Sequence, residues 1–136
     1  MRGDKAFFDT NLIVSAFAKD DARAEVAEAL LAAGGVISVQ ILNEFAAVAL
    51  RKLAMRWDEV LAALDAILVL CPSPAPLTIE THQIALGIVK KHKYHIYDAL
   101  VIASALETSC TTLYSEDLQD GQAIGGLTIR NPFRKR

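Results

Sequence analysis

At 136 residues the chain has the length of about one domain, and 53% hydrophobic residues with a mean hydropathy of +0.31 are ample for a buried core. Fourteen Lys and Arg against 16 Asp and Glu give a formal net charge of -2, which excludes an overall basic field as the basis of nucleic-acid binding. No apolar segment reaches the roughly 18 residues of a membrane span, and Asp4, Lys5 and Asp9 interrupt any leader-like run, so a cytoplasmic protein without membrane contact is expected.

Ala6-Phe7-Phe8 suits a short buried strand, handing over at Asp9 to a helix from about Asn11 to Ala18 with Leu12, Ile13 and Val14 apolar. Asp9 thus stands near a strand's carboxyl end, the edge where open α/β sheets bind ligands; capping the helix is its other possible role. Lys19-Asp20-Asp21 marks a turn, a second helix runs from about Ala22 to Ala33, and Gly34-Gly35 ends it. Val36 to Val39 has the β-branched content of a strand. From about Gln40 to Met55, Leu42, Phe45, Ala46, Ala49 and Leu53 recur at helical spacing, with Glu44 on the opposite, exposed-looking side. A helix from about Asp58 to Ile67 leads into Leu68-Val69-Leu70-Cys71, a candidate third strand, and Pro72, Pro74 and Pro76 make a stiff connector. Thr78 caps the next helix, whose body is Thr81 to Lys91.

A polar, basic and aromatic loop, His92-Lys93-Tyr94-His95, precedes Tyr97 to Leu106, a segment so apolar that it reads as a buried helix with Asp98 at its start. Thr111 to Tyr114 is a fourth strand, followed by Ser115-Glu116-Asp117-Leu118-Gln119-Asp120-Gly121, and Leu127 to Ile129 is a fifth. Alternating strands and helices predict one domain over residues 1–136, a three-layer α/β/α sandwich with a mostly parallel sheet of about five strands. Cys71 and Cys110 lack any zinc-like spacing and read as reduced, buried thiols.

Asp9 and Asp117 each follow a buried strand, and Asp98 opens a helix too apolar for the surface. Carboxylates beside so much apolar surface are costly unless paired, hydrogen-bonded or bound to a cation, and Mg²⁺ or Mn²⁺ is an economical partner. Converging acids of this kind suit metal-assisted phosphodiester hydrolysis. With four acids in one site, 16 - 4 leaves 12 against 14 cations, so the remainder of the surface still attracts a polyanion. Taken singly, Glu44 reads as a solvated acid, Asp98 as a possible cap, and Asp117 and Asp120 as turn residues. Lys90, Lys91, Lys93, His92, Tyr94 and His95 form a patch able to meet RNA phosphate or a base, and the tail from Arg130 through Arg134 is basic. No phosphate-binding glycine loop is present, His82 reads as a surface residue, and Asn11 stands where a D-x-D phosphotransferase would need Asp.

Phe8-Asp9-Thr10-Asn11, Leu42-Asn43-Glu44-Phe45, Tyr97-Asp98-Ala99-Leu100 and Leu113-Tyr114-Ser115-Glu116-Asp117-Leu118 resemble, in order, the acidic motifs of PIN-domain ribonucleases, and most closely those of bacterial VapC-like toxins. The resemblance spans essentially the whole chain, including Asn131-Pro132-Phe133. It implies a metal-dependent endoribonuclease acting on single-stranded RNA, with Asp9, Glu44, Asp98 and Asp117 as the four acids and Asn11 and Ser115 in support. It also implies a homodimer and a small antitoxin partner. With Asp9 as a ligand, Asn11 becomes the expected helix cap. Glu116 and Asp120 compete with Asp117 for the last position, and Asp117 fits the Ser-x-Asp spacing. The rival reading is a catalytically silent module of the same fold that binds RNA or protein.

Overall fold

The computed structural model describes residues 5–18 and 22–134. The turn expected at Lys19 to Asp21 lies outside them. The elements are β1 (Ala6–Phe8), α1 (Thr10–Phe17), α2 (Arg23–Ala32), α3 (Val39–Arg51), α4 (Trp57–Leu70), α5 (Ile79–His92), α6 (Ile96–Glu107), β2 (Thr112–Tyr114), β3 (Ala123–Ile124) and β4 (Leu127–Arg130).

The strands form one sheet in the order β1-β2-β4-β3, parallel except where β3 meets β4. Phe7 pairs with Leu113 and Leu113 with Ile129, so the three fully buried side chains share one row. β1 and β2 run parallel, which brings the segments after both to the same sheet edge. Asp9 N–H donates to Tyr114 O at 3.0 Å and Ser115 N–H to Arg130 O at 3.0 Å, closing that edge.

Helices flank the sheet: α5 packs on α6, α1 on α2 and α3, and α3 on α4. Ala99, Val101, Ile102, Ala103, Ser104 and Ala105 are all buried, so α6 is enclosed on nearly every side. Phe7, Phe8, Leu12, Ile13, Ile41, Phe45, Ile102 and Leu113 form the centre of the core. Burial of this apolar surface, at about 25 cal/mol per Å², is the main force closing the helices over the sheet. Cys71 and Cys110 are free and buried, and burial pushes both thiols up.

Three expectations are corrected. Val36 to Val39 is not a full strand: Val36 bridges Phe7 and Ser38 bridges Ala75, extending the sheet past β1, but α3 already begins at Val39. The β-branched residues set the extended backbone, and the helix cut it short. Leu68 to Leu70 belong to α4, because Val60, Ala63, Ile67 and Cys71 are buried at helical spacing while Val69 is 79% exposed. Hydrophobic period decides over residue type here. The sheet has four strands rather than five, and one of them, β3, was not foreseen. It pairs antiparallel with β4 through a turn at Gly125, whose φ of 59° suits glycine.

One glycine is required by contact. A Cβ on Gly35 would lie 2.5 Å from Phe8 Cε2 and 2.9 Å from Ala6 O, so the chain entering α3 passes β1 only without a side chain there. That close passage sets where α3 crosses the sheet edge.

Candidate functional site

The edge beyond β1 and β2 opens into a cleft of about 560 Å³ lined from four directions: Asp9, Thr10 and Asn11 from α1, Glu44 from α3, Asp98 from α6, and Glu116 and Asp117 from the loop after β2. Asp9, Glu44, Asp98 and Asp117 are thus brought together by long-range folding. Asp120 is not among the lining residues.

Asp9 is 7% exposed and carries two hydrogen bonds. Its Oδ1 accepts from Thr10 N–H at 2.7 Å and its Oδ2 from Ser115 Oγ at 2.7 Å. Asp9, rather than Asn11, is therefore the N-cap of α1, with φ -77° and ψ 164°. Both roles weighed for it from the sequence are compatible, because one oxygen serves the helix and the other faces Ser115. Burial pushes the Asp9 carboxyl up to about 6; the Ser115 and Thr10 hydrogen bonds oppose the shift, and the charges of Glu44 and Asp117 add to it.

Ser115, fully buried, is the hub of the loop. Its Oγ donates to Asp9 and accepts from Asp117 N–H at 3.2 Å and Leu118 N–H at 3.4 Å, which is the physical content of the Ser-x-Asp spacing. Asn11 grips the same loop: its Nδ2 donates to Asp117 Oδ2 at 2.9 Å and its Oδ1 accepts from Glu116 N–H at 3.2 Å. The competition after β2 is resolved geometrically in favour of Asp117. Glu116 pairs with Arg23, and Asp120 accepts from Asn131 N–H at 2.8 Å and meets Arg134 at 3.6 Å, holding the last segment of the chain.

Glu44 is half-buried rather than solvated. Its Oε1 accepts from Thr10 Oγ1 at 2.6 Å and its Oε2 from Gln40 Nε2 at 3.0 Å, and the same Gln40 nitrogen lies 3.3 Å from Tyr97 O. Gln40 thereby ties α3 to the start of α6, one residue from Asp98. Asp98 sits in the first turn of α6, where His95 holds the N-cap position. Burial raises the Asp98 carboxyl, Asp117 and Glu44 raise it further, and His95 opposes them.

Among the described residues no salt bridge reaches Asp9, Glu44, Asp98 or Asp117. Nor does any group of three or more Asp, Glu, His or Cys side chains among them stand ready as a metal cage. The basic residues expected from the sequence lie elsewhere: Lys90, Lys91, Lys93, Arg130 and Arg134 do not line the cleft, whereas Arg23, Arg51 and Lys52 do. Tyr94, expected to face a base, is half-buried and bonded to Gln122 and to Gln119 N–H.

The model of the PIN domain family matches residues 6–119, which includes all four acids. The chain belongs to the PIN domain family. No curated protein matches it. The fold of this PIN domain is similar to that of Mycobacterium tuberculosis VapC20, described as a sarcin–ricin loop cleaving toxin, with a TM-score of 0.65 and 20% identity over 83% of this chain and 90% of that one. Among the described residues, no helix of the PIN domain is long and apolar enough to cross a membrane.

Proposed function

We propose that this PIN-domain protein is a metal-dependent endoribonuclease that hydrolyses single-stranded or loop RNA, acting in the cytoplasm as the toxin of a toxin-antitoxin pair. The observation that carries this reading is the meeting of Asp9, Glu44, Asp98 and Asp117, from four separate segments, in one cleft with no paired cation among the described residues. VapC20, of the same fold, is described as a toxin that cleaves the sarcin–ricin loop, which supports RNA as the substrate class.

The donor set fits a hard divalent cation. All four groups offer oxygen, and mutual repulsion raises Asp9 and Asp98, a cost that a dication would reverse. Since the acids form no ready cage of three, they suit an ion that keeps several waters and takes one or two carboxylates at a time. Asp9, Asp98 and Asp117 would hold Mg²⁺ or Mn²⁺, with Glu44 completing the shell. Such an ion, when bound, acidifies the attacking water and offsets charge on the scissile phosphate.

The chain's own residues then prepare the site. Ser115 keeps Asp9 oriented and favours its ionised form, and Asn11 fixes Asp117. Thr10 and Gln40 hold both oxygens of Glu44, leaving that carboxylate aimed to position the attacking water and take its proton. Lys90, Lys91, Lys93, Arg130 and Arg134, outside the cleft, would meet backbone further along the RNA. A second copy of the chain and a small antitoxin complete the proposed assembly.

The test is cleavage of RNA by purified protein with Mg²⁺ or Mn²⁺. Loss of cutting in EDTA and in Asp9→Asn and Asp98→Asn is expected; cutting that survives any of the three sinks the mechanism. Binding without cutting under all conditions would favour the silent module instead.

A further inference from the structure

We infer that the cleft is a directional track for a single polynucleotide strand, with a nucleobase against Tyr97 at one end and a backbone phosphate on Arg51 and Lys52 at the other. The inference rests on the nuclease reading of the acids and names how their substrate is held.

The face that α3 turns to the cleft carries Glu44, Ala47, Val48, Arg51 and Lys52, at helical spacing. At 1.5 Å per residue, Arg51 lies about 10 Å beyond Glu44 along the helix axis. Gln40 lies about 6 Å before it, and its side chain reaches Tyr97 O. Tyr97 and Arg51 therefore lie on opposite sides of the acids. Between Glu44 and Arg51 the wall is made of Ala47 and Val48, which offer no competing polar group.

The cations of the cleft differ in what holds them. Arg23 is engaged by Glu116 and lies 5.1 Å from the centre of the Phe133 ring, so it braces the wall. Arg51 and Lys52 are exposed and form no ion pair among the described residues. Five carboxylates in a cleft repel a polyanion, and two unpaired cations at one end supply the attraction that sets where it enters.

Tyr97 is 66% exposed and lines the cleft, whereas Tyr94 is bonded into the neighbouring loop. Its hydroxyl has no hydrogen bond among the described residues, so its ring is free to serve as a platform. A base can lie on it only when unstacked from its neighbours, which selects single strands and splayed loops over duplex.

The test uses a short, fluorescently labelled 2′-O-methyl single strand, titrated with the full chain in EDTA so that cutting plays no part, at several salt concentrations. Tyr97→Ala should weaken binding about 5- to 100-fold, the range for losing one stacked base, and Tyr97→Phe should restore it. Arg51→Ala with Lys52→Ala should reduce the slope of log affinity against log salt by about 1.4, or about 0.7 for each lost phosphate contact. All of these side chains are exposed, and an unchanged melting temperature shows that each variant is folded. A wild-type affinity in Tyr97→Ala, or a wild-type slope in the double variant, overturns the track. So does a wild-type protein that binds no single strand, which would leave the Tyr97 end to a protein segment. RNA cutting that persists in EDTA sinks the nuclease reading alone, while normal cutting with these variants binding like wild type removes the track alone.

Discussion

Asp9→Asn should make the metal-free protein more stable while abolishing its activity. The carboxyl is pushed from 3.8 up to about 6 by burial, so the folded state favours its protonated form. The favourable contribution is fully present below pH 3.8 and is lost as pH rises through about 6. At 1.36 kcal/mol per pH unit, that difference makes the ionised carboxylate cost about 3 kcal/mol at pH 8, and about half of this at pH 5. Asparagine cannot ionise. Its oxygen can still accept from Thr10, while the charge-assisted bond from Ser115 weakens at a cost of about 1 kcal/mol. The net gain is about 2 kcal/mol at pH 8, or several degrees in melting temperature for a chain of this size. Thermal unfolding in EDTA from pH 8 to pH 5 is the assay, and the gap between variant and wild type should narrow by about 1.5 kcal/mol over that range. A gap that is absent at pH 8, or constant with pH, would refute the account of Asp9 as a strained buried acid. Adding Mg²⁺ or Mn²⁺ should then raise the melting temperature of the wild type and leave that of Asp9→Asn nearly unchanged.

Ser115→Ala removes the donor to Asp9 Oδ2 and the acceptor for two backbone N–H groups, and should cost about 1–3 kcal/mol in urea unfolding. It should also push the Asp9 carboxyl further up, moving the acid limb of the cleavage–pH profile to higher pH. Asp117→Asn and Asp120→Asn should separate cleanly: the first loses RNA cutting at near-normal stability, and the second keeps cutting while loosening the segment around Asn131, seen as faster amide exchange there. Reversed phenotypes would reassign the last acid of the site. Gly35→Ala forces a Cβ into Phe8 and should destabilise by about 1–3 kcal/mol, read from the urea midpoint.

Much of the fold was legible because its hydrophobic periods are strong. The buried strand Ala6–Phe8, the cap at Thr78 and the enclosed helix Ile96–Glu107 follow directly from residue pattern. The misreadings fall where two signals compete within a few residues. Leu68-Val69-Leu70 looks like a strand in isolation, and only the burial of Val60, Ala63, Ile67 and Cys71 at helical spacing shows that the helix continues. Val36 to Ser38 is extended and bridged on both sides, yet a helix start at Val39 leaves it too short for a strand. β3 is two residues long and owes its existence to the turn at Gly125, so no period could announce it.

For the candidate site, what the sequence carries is the identity of the acids, and what it lacks is their partners in space. Glu44 looks solvated because its own helix offers it no neighbour; the groups that bury and bind it are Thr10, from 34 residues away, and Gln40. The signal for Gln40 was nonetheless present. Residues 40, 44, 47, 48 and 51 repeat at helical spacing on the side away from Ile41, Phe45 and Ala49, so α3 has a second organised face beside its core face. Once Glu44 is placed in the cleft, helical geometry alone places Arg51 there as well. Lys90, Lys91 and Lys93 attract attention in the sequence by clustering, but a cluster records only local composition. Arg51 and Lys52 occupy the cleft because they share a helix face with an acid, and that relation, rather than the density of charge, predicts which cations meet the substrate.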